Sequence, residues 1–596
     1  MVSSLGCFAV HMNKTVVTLI VLLLLSLVFI TAVGSVSAQN SAVIRIRADG
    51  TVTGTDKIRQ DGTVYTMTSD LYTSISQNEA FIFIEKSNIT FNGAGYTIQG
   101  SGLGSAIYML KSQNVTVEDF NIRGFTIGID FGIVDNWPSG AGYLNQPSAF
   151  NNQICNNTIE ISSNVNGNQT RDIGWCVYLN DAIQTVISDN NFACQNPQGG
   201  VYFGNSTRET SLIDNIFIGC GIYSLNSNQI TTVYGNTVNG KPLVYLDGGS
   251  NKVIEDAGLV YLFNCSNIVV KNVVPLYVYI VVIQLIDTSN VEILNSSGQV
   301  LLVNSSYNRI HDNQLNSITL EASSYNQIFA NSIADFSTCI KLYREANFNK
   351  IYGNLLLDTA YSIDVERVHK EGLNTAAIQV GDVQLGGAFN NDIHNNRIVN
   401  HDCGFEFFIS SNNTIRANII EDCYTGIQLG KSDFNLVTEN NLTSCRYAVG
   451  IYAGSSNNIF YYNNFINNQV QCFETHLPTI LAEAETYSIG NTWDNGQTGN
   501  YWDTYTGKDI NGDGIGDTPY QVFENMIDTY PLMKPFETSD TNTNIPIPTY
   551  NPASRPSSNG STPLSRETAL IVIISACVTL GVICGLLVYF RRLIFR

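Results

Sequence analysis

The sequence predicts an all-β protein of one kind, a parallel β-helix, in which successive coils of the chain stack into a rod. Two observations lead to this prediction: a pattern of about 22 residues that recurs along the chain, and a composition poor in charge but rich in asparagine. Only 13% of the 596 residues are charged, which is about half of the usual share. The 44% of hydrophobic residues excludes a disordered chain, and the net charge of -20 argues against a nucleic-acid partner.

The recurring pattern is N-x-I-x-x-N-x-I, with other apolar residues replacing some of the isoleucines. Copies that begin at Asn391, Asn413, Asn435 and Asn458 follow one another at nearly equal intervals. Further copies begin at Asn308, Asn326 and Asn349, and looser ones at Asn152 and Thr210. Apolar residues two positions apart indicate short strands, and the intervening Asn, Gly and Ser indicate turns.

A unit of this size cannot bury its own apolar face, so the copies are expected to stack. Each strand then pairs with its copy in the next coil about 4.8 Å away, and matched aliphatic residues form internal columns. Asparagines at matched turns are expected to hydrogen-bond to one another as ladders. Low charge suits this arrangement, because like charges stacked at the coil spacing would repel.

Both ends of the chain predict a protein of the cell surface. Residues 1–38 have the pattern of a signal peptide, with an apolar run from Val16 to Val33 and small residues before Gln39; an uncleaved anchor is the alternative. A stalk rich in Pro, Ser, Thr and Asn is predicted at 537–567, and a membrane-spanning helix from Thr568 to Phe590. The arginines of the tail at 591–596 place it in the cytoplasm, so the large N-terminal region is expected outside. Eleven N-x-[ST] sequons between Asn88 and Asn559 suit a glycosylated surface protein.

Between the two ends, we predict an N-terminal cap at 39–78, β-helix coils at 79–475 and a C-terminal cap at 476–536. The segment SNITFNGAGYTIQG at 87–100 and the ending GNTWDNGQTGNYWDTYTGKDINGDGIGDTPY, which begins at Gly490, resemble the right-handed β-helix proteins of the NosD type. That family has carbohydrate-binding and sugar-hydrolase-like repeats that are common on archaeal surfaces. The resemblance covers about 39–536, and it implies the right-handed form of the helix.

The C-terminal cap contains a loop with the spacing of a calcium site. Oxygen ligands at alternate positions, a glycine at the sixth and an acid at the ninth match a calcium-binding loop, although the twelfth position is Tyr520 instead of glutamate. A bidentate ligand would have to come from Asp528 or Glu524. The predicted ligands are Asp509, Asn511, Asp513, Ile515 through its carbonyl, Asp517 and Asp528. Calcium, the one cofactor predicted, would stabilise the cap; a Gly/Asp turn without metal is the alternative.

No catalytic residue is assigned from the sequence, but four aspartates are candidates. Three of them, Asp335, Asp358 and Asp422, lie four residues after a repeated asparagine and are expected on neighbouring coils. The fourth, Asp402, follows His401. Paired carboxylates can act as acid and base on a glycan. The alternative is that they are ordinary turn residues, and the same holds for Glu366, Arg367, His369 and Lys370 in the insertion at 361–390.

The cysteines predict no metal site. Ten of them are scattered singly from Cys155 to Cys472 without a C-x-x-C pair, which argues against zinc. Cys423 and Cys445, one repeat apart, are either buried free thiols or an inter-coil disulfide. Copper handling is attached to the NosD name and would require clusters of His, Met or Cys. Such clusters are not evident in the sequence, so a copper role is the least favoured.

These observations favour a membrane-anchored extracellular protein that binds carbohydrate or an envelope polymer. The first alternative is a polysaccharide lyase or glycoside hydrolase on the same scaffold, and the second is a structural protein of surface or envelope assembly. An enzyme requires acidic and basic groups that converge in a groove, whereas a binder requires a strip of aromatic rings.

Overall fold

A computed structural model describes residues 43–537, except for 78, 110, 132–148, 162–173, 195–198, 224, 227, 276–280, 336–337, 359–375, 383, 453 and 476–487. The predicted signal peptide, stalk, membrane helix and tail lie outside the described residues, as do the insertion residues Glu366, Arg367, His369 and Lys370. All regular elements in the described part are β-strands. None of the described residues forms a helix long and apolar enough to cross a membrane.

The strands form a stack of coils whose faces are long, mostly parallel sheets, so the predicted parallel β-helix is confirmed. The first sheet of the upstream coils contains Ile44–Ile46, Val52–Thr53, Ala80–Ile84, Ser105–Met109, Ile127–Asp130, Trp175–Leu179, Gly199–Phe203 and Ile222–Tyr223. The second contains Ile58–Asp61, Val64–Met67, Ile89–Asn92, Val115–Glu118, Gln153–Cys155, Val186–Ser188, Thr210–Ile213 and Ile230–Tyr234. The third contains Leu71–Tyr72, Thr97–Gln99, Asn121–Arg123, Thr158–Ile161, Asn191–Cys194, Ile216–Ile218 and Thr237–Val238. Ala149–Phe150 pairs with Ala182–Ile183 beside these sheets.

The middle coils differ from the predicted three-strand unit. They consist of two long strands each, and neighbouring coils are offset by fewer residues than the repeat, as from Ser250 to Ser266 and from Glu292 to Arg309. With fewer residues per coil, two opposed strands replace the three-sided section. One row contains Lys241–Asp247, Leu259–Phe263, Val281–Ile286, Ser297–Val303 and Gln314–Glu321, and the other begins with Ser250–Glu255, Ser266–Lys271 and Ser289–Leu294.

Downstream, the three-sided section returns because Gln314–Glu321 pairs with two successive strands, Ser332–Asp335 and Ile340–Tyr343. The first face continues through Leu355–Asp358, Arg397–Val399, Ile419–Glu421, Asn441–Thr443, Asn464–Ile466 and Tyr501–Trp502. The second continues through Ala376–Val380, Cys403–Phe408, Thr425–Gly430, Tyr447–Tyr452 and Val470–Thr475. The third contains Arg309–His311, Gln327–Phe329, Lys350–Tyr352, Asp392–His394, Thr414–Arg416, Leu436–Thr438 and Ile459–Tyr461.

The apolar positions of the repeat form the core, as predicted. The first isoleucine position lies in register from coil to coil and is fully buried at Ile328, Ile351, Ile393, Ile415 and Val437. Alternation along each strand turns the intervening side chains outward.

Both asparagine positions of the repeat form buried ladders. In one ladder the Nδ2 atom of each asparagine donates to Oδ1 of the next, at 2.9–3.0 Å in the steps from Asn396 to Asn418 to Asn440 to Asn463. The backbone N–H of each donates to the same oxygen, as from Asn418 to Asn440 at 3.0 Å. The residue before the asparagine adopts a left-handed conformation, such as Ala417 with φ 51°. The ladders therefore satisfy the polar groups that the sharp turns bring into the core.

The C-terminal cap closes this ladder with a carboxylate. The antiparallel hairpin of Tyr520–Phe523 and Met526–Asp528 brings Asp528 to Asn500, the last asparagine of the ladder. Its Oδ2 atom accepts hydrogen bonds from Asn500 N at 2.7 Å and Trp502 Nε1 at 2.8 Å, and its Oδ1 accepts one from Tyr530 N at 3.0 Å. Trp502 stacks on Phe465 with ring centroids 4.2 Å apart. The cap thus covers the last coil with aromatic rings around one buried acid.

Candidate functional site

One sheet face carries a column of unlike polar and aromatic side chains. On the strands from Ala376–Val380 to Val470–Thr475, the residues Ile378, Phe405, Ile427, Val449 and Cys472 are buried in register. The next position on each strand therefore lies on the outer side of the sheet. This outer column consists of Lys341, Gln379, Glu406, Gln428, Gly450 and Phe473 in adjacent coils. We call it, together with the residues beside it, the Glu406 face.

Glu406 is buried on this outer side of the sheet, with 6% of its surface exposed. Burial and the charges of Asp402 and Asp382 raise the pKa of Glu406 to about 7, although Lys341 acts in the opposite direction. Gln428 Nε2 donates a hydrogen bond to Glu406 Oε1 at 3.2 Å. A large share of the Glu406 side chains is therefore protonated and able to donate a proton at neutral pH.

Two further acids and a base surround Glu406. Asp402, in the turn before its strand, is 5% exposed. On the other side, Lys341 Nζ lies 2.8 Å from Asp382 Oδ2. Burial raises the pKa of Asp382, but the hydrogen bonds from Lys341 and from the backbone N–H groups of Gln384 and Leu385 outweigh it and lower that pKa. The face thus holds one carboxyl that burial favours in its protonated form and one that its hydrogen bonds hold ionised.

Aromatic rings and a guanidinium group lie on the downstream side of Glu406. Arg446 lies over the rings of Tyr424 and Tyr447, at 5.0 and 5.7 Å from their centroids. Tyr447 and Tyr452 both contact Phe473 edge to face, at 4.8 and 5.8 Å. Burial, with the nearby charges of Cys403 and Glu406, raises the pKa of Tyr452 to about 12. These rings are not paired face to face with one another, unlike the aromatic ladders described next.

Two aromatic ladders run along another face of the rod. The exposed Tyr307, Tyr325 and Phe348 stack in parallel at 5.1 and 5.0 Å. A second ladder stacks His311, Phe329, Tyr352 and His394 at 4.7–5.1 Å. Because each ring covers the face of the next, the ladders present ring edges to solvent. The strip of aromatic rings expected of a binder is present here, but the faces of its rings are covered by neighbouring rings of the same ladder.

The structure places the four candidate aspartates in different surroundings. Asp335 and Asp358 are register partners on neighbouring coils, and Asp358 is buried. Asp422 lies in a left-handed turn with φ 55°, which agrees with the turn-residue alternative. Its neighbour Glu421 forms an ion pair with Arg397 at 2.9 Å. Of the four, Asp402 is the one that interacts with Glu406.

His401 does not belong to the face that Asp402 helps to form. It is 2% exposed, and burial lowers its pKa to about 3, so the ring is neutral. Its Nε2 atom lies 4.0 Å from Cys339 Sγ.

Sequence reasoning missed Glu406 itself. The residue lies within the strand CGFEFF, between Phe405 and Phe407, and has no counterpart in the repeat pattern. The available signal was a single acid in an apolar strand of a chain with few charges.

The calcium-type loop is exposed, and its carboxylates accept hydrogen bonds from backbone N–H groups of the same loop. Asp509 accepts hydrogen bonds from the N–H groups of Gly512 at 2.6 Å and Gly514 at 2.9 Å, and Asp517 from Ile510 at 2.6 Å. Asn511 Nδ2 donates to Asp513 Oδ2 at 2.9 Å. Glu524, the other proposed source of a bidentate ligand, adopts φ 33° in the turn of the terminal hairpin.

The predicted ligand Asp528 lies elsewhere. Its oxygens bind Asn500, Trp502 and Tyr530 at the base of the cap, because the hairpin carries it into the interior and away from the loop surface. The ligands that the loop itself offers are therefore those of residues 509–517.

A cleft of about 520 Å³ lies beside this loop, between Asp509, Asp513 and the terminal segment that includes Leu532 and Phe536. It is distinct from the Glu406 face, and two of the acids that line it, Asp509 and Asp513, make hydrogen bonds within their own loop. The Glu406 face, where a buried acid of raised pKa meets other charged and aromatic groups, is the better candidate for a site.

Comparison with known proteins finds a similarity to one family in the part of the chain that contains Glu406. Residues 374–507 match the family model described as periplasmic copper-binding protein (NosD). A probable ABC transporter binding protein NosD from Stutzerimonas stutzeri is 29% identical over 93 residues. That match spans 16% of this chain and only 19% of the relative.

Solved structures of low similarity also align with the chain. A hyperthermoactive exopolygalacturonase from Thermotoga maritima aligns with 63% of this chain and 85% of its own, at 10% identity and a TM-score of 0.26. The periplasmic alginate epimerase AlgG aligns with 73% of this chain and 80% of its own, at 11% identity and a TM-score of 0.22. Likeness at these TM-scores carries no information about function.

Proposed function

We propose that this chain, a NosD-type parallel β-helix repeat protein, binds a carbohydrate or envelope polymer on the Glu406 face. The observation that carries the proposal is the buried Glu406, which lies among amides, ionised groups and aromatic rings on one side of the rod. Amides and carboxyls suit the hydroxyl groups of a sugar, and rings whose faces are not self-stacked suit its apolar side. A face that continues over several coils suits an extended chain.

The first experiment measures binding of the full chain to a glycan array, with and without Glu406→Gln. The substitution keeps the shape of the side chain but removes the carboxyl, so binding is expected to fall about tenfold, which corresponds to the loss of one hydrogen bond. Glu439→Gln, in a turn near the ladder residue Asn440, is the matched control and is expected to bind as the wild type does. Equal binding by all three proteins would contradict the proposed site.

Hydrolysis of the bound glycan is a second candidate function, and one observation favours it. The pKa of about 7 gives Glu406 the protonated form that a general acid needs to protonate a leaving glycosidic oxygen, while Asp402 supplies a second carboxyl nearby. Activity that depends on protonated Glu406 is expected to fall as the pH rises through about 7. Release of reducing ends from an array ligand measures this activity, and unsaturated products would indicate a lyase instead. A ligand that binds but gives no product under any of these conditions would leave binding as the function.

The proposal places the protein on the outer surface of the cell membrane, held by Thr568–Phe590 after export by residues 1–38. It rests on the apolar runs, the stalk composition and the terminal arginines of the sequence. Fractionation of cells, followed by protease treatment of intact cells, tests it. Recovery in the soluble fraction, or protection of the β-helix from protease, would contradict the predicted location.

Copper binding, which the family description names, finds no matching set of ligands in the region that resembles the family. Within the described part of 374–507, the cysteines and histidines do not bring three ligand atoms within 4.8 Å of one another. His394 is stacked in an aromatic ladder, and His401 is buried beside Cys339. We therefore assign no copper chemistry to this region.

A further inference from the structure

Three cysteines that are far from any motif in the sequence converge in the upstream coils. Cys176 lies in the strand Trp175–Leu179, Cys194 ends the strand Asn191–Cys194, and Cys220 follows the strand Ile216–Ile218. The long spacings between them match no metal motif. The coils nevertheless bring the three side chains together, which their spacing in the sequence does not predict.

The three sulfur atoms are spaced as they would be around one ion. All of them lie within 4.8 Å of one another, and Cys176 Sγ and Cys194 Sγ are 3.8 Å apart. Metal–sulfur bonds of about 2.3 Å place the sulfurs of a shared ion roughly 4 Å apart. A disulfide requires about 2.05 Å, and all three cysteines are free in this structure.

The three thiols lie among backbone carbonyl groups of the coils. The thiols of Cys176, Cys194 and Cys220 donate to the carbonyls of Ile159, Gly199 and Phe192 at 3.6, 3.7 and 3.5 Å. Cys176 and Cys220 are buried, whereas Cys194 is half-buried, which gives an ion a route in from the surface.

We propose that Cys176, Cys194 and Cys220 form a binding site for one soft, thiophilic metal ion of the Cu(I) or Zn(II) class. Thiolates select such ions over the hard cations, which prefer oxygen. Three thiolates around a divalent ion leave a net charge of -1, and around a monovalent ion -2. Because a buried charge is costly, Zn(II) binds with all three thiolates, and Cu(I) binds with one sulfur still protonated. The site lies outside residues 374–507 and does not depend on the proposed glycan binding.

The test titrates the reduced, metal-free full chain with Cu(I), Zn(II) or Ca²⁺ under anaerobic conditions. One Cu(I) or Zn(II) per chain is expected to remain after desalting, and Ca²⁺ is not expected to compete for it. Retention against a competing chelator then distinguishes the two soft ions. Cys176→Ser, Cys194→Ser and Cys220→Ser are each expected to weaken binding at least about tenfold. Cys472→Ser, a buried thiol away from the cluster, is the matched control and is expected to bind normally.

A second measurement uses only the wild-type protein, in case a variant fails to fold. Bound Cu(I) or Zn(II) is expected to protect Cys194, the half-buried member of the cluster, from alkylation, while the half-buried Cys155 reacts as it does without metal. Peptide mass mapping identifies the protected positions. Absence of protection by either ion would overturn the proposal, as would a native disulfide between Cys176 and Cys194 or soft-metal binding that survives loss of all three thiols.

Discussion

The asparagine ladders and the Glu406 face are built on the same coils, yet they follow opposite rules. In a ladder, the same residue recurs from Asn396 to Asn463, and each amide binds its copy in the next coil. In the outer column of the Glu406 face, Lys341, Gln379, Glu406, Gln428, Gly450 and Phe473 succeed one another. Repetition lets polar groups satisfy each other and stabilise the rod. Variation leaves unlike groups side by side on the outer side of the sheet, where we propose that a ligand binds.

The aromatic residues divide in the same way. Tyr307, Tyr325 and Phe348 repeat at one corner and stack on each other, whereas Tyr447, Tyr452 and Phe473 come from different positions and meet edge to face. Exposure alone would favour the first group as a sugar platform. The stacking geometry favours the second group, Tyr447, Tyr452 and Phe473, as the surface on which a sugar would stack.

The largest expected effect is the loss of one ladder amide. Asn418 Oδ1 accepts hydrogen bonds from N and Nδ2 of Asn396, both at 3.0 Å, and its own Nδ2 donates to Asn440 at 2.9 Å. Asn418→Ala leaves these buried partners unsatisfied, so the free energy of unfolding is expected to fall by at least about 3 kcal/mol. Chemical denaturation measures it, with the exposed Asn412→Gly as control. A loss below about 1 kcal/mol would contradict the role assigned to the ladder.

Glu406→Gln is expected to have the opposite effect on stability. Because burial raises the folded-state pKa of Glu406 to about 7 from 4.5, its favourable contribution is complete below pH 4.5 and is lost as the pH rises through 7. At higher pH, the free energy of unfolding of the variant is expected to exceed that of the wild type by up to about 3 kcal/mol. Thermal unfolding between pH 4 and 8 checks this. If the two proteins have parallel pH profiles, Glu406 is not the buried acid described here.

The calcium-type loop differs from both regions, because it contains neither residues repeated from coil to coil nor part of the Glu406 face. If Ca²⁺ binds the ligands of residues 509–517, saturation at about 100 times the Kd is expected to add about 2.7 kcal/mol to the free energy of unfolding. Asp513→Ala is expected to abolish this gain and the sensitivity to chelators. Equal calcium dependence in the variant and the wild type would rule out a structural site in this loop.

The smallest effect is expected in the exposed aromatic ladder. Tyr325→Asn removes two stacking contacts without straining the backbone, because Asn290 and Asn390 adopt the same left-handed conformation as Tyr325. A loss of about 1–2 kcal/mol is expected in the free energy of unfolding. Tyr307→Asn, which removes one contact, should lose about half as much. Neither change should alter glycan binding, and a loss of binding would move the site to this ladder.

The sequence predicted the repeating part of the molecule because its spacing carries the information. Two asparagines and two apolar residues per repeat were enough to predict the ladders and the buried columns, including Asn418 and Ile415. The handedness of the helix remains an expectation from the family resemblance. The two-strand middle coils were missed because the shortened spacing from Asn308 to Asn326 was fitted to the same frame as the longer repeats.

The functional candidates were harder to predict because they depend on contacts between coils of unequal length. Asp402 was identified, but its partner Glu406 gains its environment from Lys341, which is distant in the sequence, and from Gln428 in the next coil. Cys176, Cys194 and Cys220 meet because they lie on or next to strands of stacked coils that are far apart in the sequence. Asp528 was assigned to the calcium loop, since the sequence gives no sign that a hairpin returns it to the interior.

The carboxylate at the end of the asparagine ladder has a consequence for how the rod is assembled. Every step of the ladder has the same polarity, with the donors of one coil directed to the acceptor of the next, from Asn396 through Asn463 to Asn500. A rod that stopped after any coil would therefore present unsatisfied donors, and Asp528 gives them an acceptor that belongs to no coil. The coils therefore resemble the units of a head-to-tail polymer, and Asp528 ends the series. A whole coil could be added or removed before Asp528 without changing either end of the β-helix.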